Sequence, residues 1–458
     1  MTDNPWATLD DKVDETDRTA WLHAMLARNG ASDYLKRLGS PDSVQSFRSR
    51  VPPCNHEDLA PHLARMHSGE SDVLFTGRPL AYERTGGSSG GSKLIPYSRE
   101  GLLDFQDCIV PWLARTVKDH GITGRAYFSI SPATRETTWV GDAPVGLPDG
   151  AYLGEHAGAV LARQSAVPLE VGGLRDVTLW RQATITHLKA ATDLELISVW
   201  SPTFLLRLLE DIPDAQHLWP RLKVISCWAS GTARRYAEQL RQHLPHVIIQ
   251  PKGLLSTEAV ITVPDEDNKP ALVRRGFFEF AQGDALLLED ELIPGLEYEV
   301  VVTTASGLYR YRTGDRVRFE GRNRAGQAIL DFVGRDALSS DLVGEKLTET
   351  FAGKCLADHP GFAMLVPDAS RPGYVLICEN IPDAAGLAVL ENRLSANPQY
   401  SYARKLGQLA PLRVQLHRQA FAMVERAMLA RGTRLGDVKP LALRSEAFWL
   451  PLFEENLP

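Results

Sequence analysis

The chain has 458 residues, 44% of them apolar and 23% charged, with a net charge of −7. Such values suit a large buried core divided over two or three domains, and without a basic block they speak against a nucleic acid or an anionic membrane as partner. The five cysteines lie far apart with no Cys-x-x-Cys or Cys/His cluster, which argues against a disulfide framework and a zinc site.

The N-terminus lacks the basic and apolar regions of a signal peptide. No apolar run approaches the roughly 18–20 residues of a membrane span. A cytoplasmic protein with no obligate protein partner is expected.

Trp21-Leu22, Met25-Leu26 and Tyr34-Leu35 recur at helical spacing, followed by Val44 to Phe47, and predict a helical collar over 1–50. Val51-Pro52-Pro53 breaks it. His56 to Met66 reads as a further helix, with His56 and His62 as surface or capping residues. Pro79 to Tyr82 reads as a short strand.

Then comes Arg84-Thr85-Gly86-Gly87-Ser88-Ser89-Gly90-Gly91-Ser92-Lys93. Glycines allow positive φ and present successive N–H groups. Hydroxyls add donors, and a lysine adds a charge that reaches phosphate. The tract reads as a polyphosphate cradle. A Gly/Ser linker is the competing reading, opposed by the apolar return at Leu94-Ile95-Pro96. The tract is not an ordinary P-loop, which needs glycine before the lysine and Ser or Thr after it; here Ser92 precedes Lys93 and Leu94 follows. A helix is predicted from Arg99 to Trp112.

From Arg125 the pattern alternates. Strands are predicted at Arg125–Ser131, Leu194–Trp200, Leu222–Trp228 and Val247–Gln250, and helices at Trp180–Ala191, Thr203–Glu210 and Ala233–Leu244. Alternation of this kind implies an α/β domain, whose ligands gather at the carboxyl ends of strands. The turns after Trp200, Trp228 and Gln250 are candidate site walls. Ser256-Thr257-Glu258 follows the last of them. A carboxylate beside two hydroxyls suits a hydrated Mg²⁺ held against phosphates; a helix N-cap is the competing reading.

Residues 276–280, 286–288, 298–304, 308–312, 316–319 and 330–333 are β-rich and suggest an appended antiparallel sheet or barrel. Within them Leu308-Tyr309-Arg310-Tyr311-Arg312-Thr313-Gly314-Asp315 reads as a strand ending in a tight turn with an exposed carboxylate. Such an Asp can accept two hydrogen bonds from a ribose diol; a plain hairpin turn is the alternative. After Gly334-Arg335 the composition shifts, and 336–458 reads as a small α+β domain, with strands at 373–378 and 413–417 and helices at 384–395 and 420–430.

A Gly/Ser/Lys loop, a Ser-Thr-Glu turn and a Tyr-Arg-x-Gly-Asp turn, in this order, resemble the adenylate-forming superfamily. Within it the chain is most similar to the acyl acid–amido synthetases, the auxin-conjugating Gretchen Hagen family with its bacterial members. The likeness runs through Phe47 to Pro52, His62 to Arg65, Leu222 to Trp228, Tyr298 to Asp315, and Ala430-Arg431-Gly432 to Lys439-Pro440. Gly87, Arg84 and Leu254 depart from the family's usual threonine, serine and aromatic.

The resemblance implies an α/β fold: a large N-terminal adenylate-forming domain over 1–335, with helix-flanked sheets and a β-barrel-like part, and a mobile α+β domain over 336–458. It implies that Thr85, Ser88, Ser89 and Lys93, with the backbone of Gly86, Gly87 and Gly90, hold the β- and γ-phosphates of ATP. Ser256, Thr257 and Glu258 would serve the α-phosphate and Mg²⁺. Asp315, helped by Arg335, would bind the ribose. Gly334 to Asp336 would form the hinge, and Lys346 or Lys439 would supply the C-terminal lysine. Trp200, Trp228 and Leu255 are candidate walls for the acid.

The expected reaction activates a carboxylic acid as acyl-AMP, releasing pyrophosphate, and passes the acyl group to an amine such as an amino acid. Transfer to coenzyme A or a carrier-protein thiol is the alternative. A nucleotide-binding regulatory module without turnover is a third reading, opposed by the retained Glu258, Asp315 and lysines.

Overall fold

The computed structural model describes residues 4–12, 17–85, 93–129, 138–147, 149–335 and 338–454. The runs Leu194–Ser198 and Val224–Cys227 are mostly buried and apolar, the composition of parallel strands covered on both faces, and Ile248–Pro251 lies beside them with Ile249 and Gln250 buried. With Arg125–Phe128 they pair in chain order as a four-stranded parallel sheet. Tyr127, Ile197, Ile225 and Ile249 pack on one side with Trp180, Phe204, Ala237 and Leu240 from the helices Val177–Ala190, Pro202–Leu209 and Arg234–His243. Ala126, Leu196 and Val224 pack on the other, against Leu113 and Val117 of the helix Arg99–Asp119 and Val160 of Gly154–Gln164.

The helix Arg99–Asp119 includes Pro111 and runs seven residues beyond its expected end at Trp112. It is started by Ser98, whose side chain accepts from the Gly101 N–H at 2.9 Å. The strands Ala81–Arg84 and Leu94–Tyr97 precede it as an antiparallel hairpin flanking the glycine-rich tract.

A seven-stranded antiparallel sheet carries the second half of the N-terminal part. It packs with Trp21, Met25, Phe47 and Leu63 of the N-terminal helices in one core. Here the structure corrects the reading of the Gly-Asp turn. There is no hairpin at Gly314-Asp315: one strand, Tyr311–Arg322, runs through it. Pairing shifts from Val301↔Arg312 to Glu299↔Arg316, so Thr313, Gly314 and Asp315 stand opposite Val300. Gly314 takes φ +73°, as a bulge requires. The Thr313 hydroxyl donates to the Val300 carbonyl at 2.9 Å and accepts from the Asp315 N–H at 3.1 Å. The Asp315 carboxylate is consequently 2% exposed rather than on a turn tip.

The C-terminal part holds a three-stranded sheet, Ala363–Asp368, Gly373–Cys378 and Arg413–Leu416, and the helices Ala384–Leu394, Pro398–Lys405 and Ala420–Ala430. Its core takes in Tyr236 from the N-terminal part. All five cysteines are buried and unpaired. Among the described residues no helix is long and apolar enough to cross a membrane.

Candidate active site

Residues 86–92, the greater part of the glycine-rich tract, lie outside the described residues, so Gly86, Gly87, Ser88, Ser89 and Gly90 have no structural account; neither does Asp336. The two ends of the tract are held together. The Thr85 N–H donates to the Lys93 carbonyl at 2.9 Å, and the Lys93 N–H to the Thr85 hydroxyl at 3.1 Å. His56, at the start of the helix His56–His67, stands near this closure. Burial and the Lys93 charge hold its imidazole below the usual value.

From the hairpin, the Tyr97 hydroxyl donates to the Thr257 carbonyl at 2.8 Å. The glycine-rich hairpin is thereby tied to the Ser-Thr-Glu segment. That segment is a turn, not a helix cap: Leu255 bridges to Val260, and Ser256 and Ala259 exchange hydrogen bonds between 3.0 and 3.2 Å. Gly253 makes the turn possible. Its φ is +81°, and a Cβ there would stand 2.3 Å from the Thr262 carbonyl oxygen. Leu254 is buried in the core beneath, and Leu255 packs against the same core half-buried.

The turn leaves Glu258 half-buried, without a hydrogen bond or ion pair among the described residues. Its charge, behind burial as the leading cause, pushes up the phenol pKa values of Tyr97 and Tyr311. Asp315 pairs with Arg335 across the neighbouring strand. The guanidinium donates to both carboxylate oxygens, at 2.7 and 3.2 Å. Asp315 is the main cause that raises the Arg335 pKa, and Glu258 adds to it.

Lys439 joins this group from the C-terminal part. It is exposed, yet protein atoms crowd round its ammonium. That burial, and next the charge of Arg335, lower its pKa, while Asp315, Glu258 and Asp437 oppose them. Its ammonium lies 5.3 Å from the centroid of the Trp228 ring. Arg444 donates to the Lys439 carbonyl at 3.0 Å. Lys346, the other candidate, is exposed at φ +44° beside the short strand Leu347–Thr348, with no hydrogen bond or ion pair among the described residues. The structure brings Glu258, Asp315, Arg335 and Lys439 together and leaves Lys346 apart.

Trp200 and Trp228 follow adjacent parallel strands, and the Trp228 N–H donates to the Trp200 carbonyl at 2.9 Å. Their rings are 6.1 Å apart. Sequence reasoning passed over Lys252, one residue past the strand Ile248–Pro251; its signal was a lone lysine at the carboxyl end of a predicted parallel strand. It also passed over Trp112, read only as the end of a helix.

Models of the GH3 family match three stretches of the chain: the N-terminal domain at residues 11–213, the central domain at 270–335 and the C-terminal domain at 345–446. The probable indole-3-acetic acid-amido synthetase GH3.1 of Oryza sativa subsp. japonica is 26% identical over 416 residues, covering 72% of this chain and 67% of that protein. The probable indole-3-acetic acid-amido synthetase GH3.12 of the same subspecies is 22% identical over 553 residues, covering 91% and 89%. Among solved structures, the GH3.15 acyl acid amido synthetase superposes with a TM-score of 0.82 at 20% identity, covering 96% of this chain and 93% of that one.

Proposed function

The chain belongs to the GH3 family and is a ligase that forms amides from acyl acids; from that premise we propose that it works through an acyl-adenylate made from MgATP, with an amino acid as the acceptor amine. The reading is carried by one observation. Glu258, the Asp315–Arg335 pair and Lys439 come from separate segments and act on one another's charge beside the hairpin that flanks the glycine-rich tract.

The chemistry asks for positioning and charge neutralisation. The substrate's carboxylate attacks the α-phosphorus of ATP, pyrophosphate leaves, and the amine then displaces AMP from the acyl carbon. Lys439 and Arg335 are the cations that offset charge on the α-phosphate. Arg335 also holds Asp315 oriented, and a carboxylate bonded on one side keeps lone pairs for the ribose diol. Thr85 and Lys93 stand at the mouth of the phosphate tract. Trp200, Trp228 and Leu255 are assigned to the acid.

Mg²⁺ fits this donor set in one way only. Among the described residues no group of three or more His, Cys, Asp or Glu is arranged to hold a metal, but Glu258 is an uncommitted carboxylate, and one carboxylate plus phosphates and water is an ordinary Mg²⁺ environment. When bound, the ion supplies Lewis-acid polarisation of the phosphoryl oxygens. We further assign 1–335 and 336–458 as two domains hinged at Gly334–Asp336. The five unpaired thiols support a reducing, cytoplasmic setting.

The test is pyrophosphate release with MgATP and a panel of small acids, with and without mixed amino acids. Release that needs an acid, with AMP and an amide appearing on addition of one amino acid, supports the reading. Acid-dependent release indifferent to amines points to a thiol acceptor, and ATP binding without release points to a non-catalytic module. Glu258→Gln keeps the size and removes the charge; it is expected to slow acid-dependent release by roughly a hundredfold, measured under saturating ATP and Mg²⁺.

A further inference from the structure

The carboxyl end of the parallel sheet holds a lysine that no step above uses. The Lys252 N–H donates to the Cys227 carbonyl at 3.0 Å, at the end of the neighbouring strand. Its side chain crosses the strand ends, and the ammonium donates to the Ser198 hydroxyl at 2.6 Å. It lies 4.9 Å from the centroid of the Trp200 ring and 5.3 Å from that of Trp112. Lys252 is 5% exposed. Among the described residues it has no carboxylate partner. Burial lowers its pKa to about 8, with the Cys227 thiol pulling the other way.

Buried cations are normally paired, because desolvating one without a counter-charge is expensive. Arg310, equally buried, is fully paired with Glu279. Lys252 has a hydroxyl and two aromatic faces. Its surroundings also contain unsatisfied polar groups. The Trp112 indole nitrogen is buried without a hydrogen-bond partner, and so is the Ser226 hydroxyl. Ser226 pairs in register with Ser198 and so shares its face of the sheet. Among the described residues only the Ser198 hydroxyl answers the ammonium, and the Trp112 N–H and Ser226 hydroxyl go unanswered.

The location gives this a meaning. Lys252 lies against the Trp200 ring, whose centroid is 6.1 Å from that of Trp228, and Lys439 lies against Trp228. The two lysines thus lie against different members of the tryptophan pair, and no charge of the Glu258–Asp315–Arg335–Lys439 cluster acts on Lys252. An acid whose reacting carboxyl lies at the Lys439 end directs its far end toward Lys252. We propose that Lys252, with Ser198 and the Trp112 indole N–H, is the specificity-determining floor of the acyl pocket and selects aromatic acids that carry a second oxygen acceptor, a ring carboxylate or a phenolic oxygen, remote from the carboxyl that is activated. This rests on the adenylating reading above. The half-buried Trp200 and Trp228 are flat apolar surfaces suited to a ring, and an ammonium in a desolvated site discriminates strongly against a ligand that leaves it unanswered.

The experiment compares matched acids: benzoate with 4-hydroxybenzoate and terephthalate, and phenylacetate with 4-hydroxyphenylacetate. Acid-dependent pyrophosphate release is measured for the unsubstituted enzyme, Lys252→Met and Lys252→Arg. The unsubstituted enzyme is expected to favour the acceptor-bearing member of a pair by at least about tenfold in kcat/KM. Lys252→Met should bring that ratio to within about threefold of unity, mainly through KM, and Lys252→Arg should retain part of it. A purely structural lysine would scale both members of a pair alike, and an unchanged ratio in Lys252→Met overturns the proposal. Lys252→Met removes an unpaired buried charge, so its melting temperature serves as the folding control. If no acid supports release in any variant, the adenylating reading fails separately. Binding of the same acids, followed by tryptophan fluorescence, then decides: tighter binding of the acceptor-bearing acid that is lost in Lys252→Met supports the floor, and equal binding overturns it.

Discussion

Replacing Lys439 by alanine is expected to lower acid-dependent pyrophosphate release by roughly 10²–10³-fold, whereas Lys346→Ala changes it by less than about threefold. The two lysines are equivalent in type and both lie in the C-terminal part. Their surroundings differ. Both are exposed, but Lys439 shares a charge cluster with Arg335, Asp315 and Glu258, while Lys346 has no hydrogen bond or ion pair among the described residues. An ammonium aimed at developing phosphate charge in a crowded site is worth more than one in water. The two variants are compared on purified protein by pyrophosphate release, with ATP binding and melting temperature as controls. The reverse order of effects would mean that the arrangement seen here does not adenylate and that another placement of the C-terminal part does.

The same cluster sets a pH dependence. Burial, with the Arg335 charge next, lowers the Lys439 pKa; Asp315, Glu258 and Asp437 limit the fall. A cation with a lowered pKa loses its proton earlier as pH rises. Adenylation should therefore decline on the alkaline side sooner than for an ordinary lysine. Lys439→Arg, which stays charged, should move that limb upward even if its absolute rate is lower. A rate profile whose alkaline limb is the same in both proteins would remove Lys439 from the step.

What was legible in the chain follows from the range of each interaction. The parallel strands and their helices were readable because apolar runs and capping residues are local signals. Ser98 and Asp383 announce helices by their own side chains. The bulge at Gly314 was not readable. A glycine at positive φ followed by Asp serves a hairpin turn and a strand bulge equally well, and only Val300, on another strand, distinguishes them. The helix Pro398–Lys405 was missed because its run Pro-Gln-Tyr-Ser-Tyr-Ala-Arg-Lys has almost no apolar stripe; it is started by the Asn397 side chain and buries only Tyr400 and Ala403. Motif residues could be named one by one from the chain. Which of two lysines meets Arg335, and that Lys252 lacks a counter-charge among the described residues, are facts about contacts between distant segments.

The largest expected loss of stability comes from Arg310, inside the segment whose neighbour Asp315 is assigned to the ribose. Its backbone holds φ +50°, and its N–H donates to the Thr303 hydroxyl at 3.0 Å. The guanidinium donates to both oxygens of Glu279, at 2.7 and 2.9 Å, and to the carbonyls of Arg48 and Val51, each at 2.7 Å. Glu279 is 1% exposed and also accepts from Arg48. Arg310 thus fastens the N-terminal helices to the antiparallel sheet. Arg310→Met removes one partner of a buried pair and leaves Glu279 and two carbonyls short of donors, at a cost of about 3–5 kcal/mol. Denaturant unfolding is the measurement. Adding Glu279→Leu should recover part of the loss, since a buried carboxylate left with Arg48 alone, more than the lost attraction, is the source of the damage. No recovery would mean that the backbone carbonyls and the strained φ dominate. In either case adenylation per folded molecule should fall far less than in Lys439→Ala, because Arg310 points into the core beneath the helices and away from the charged cluster.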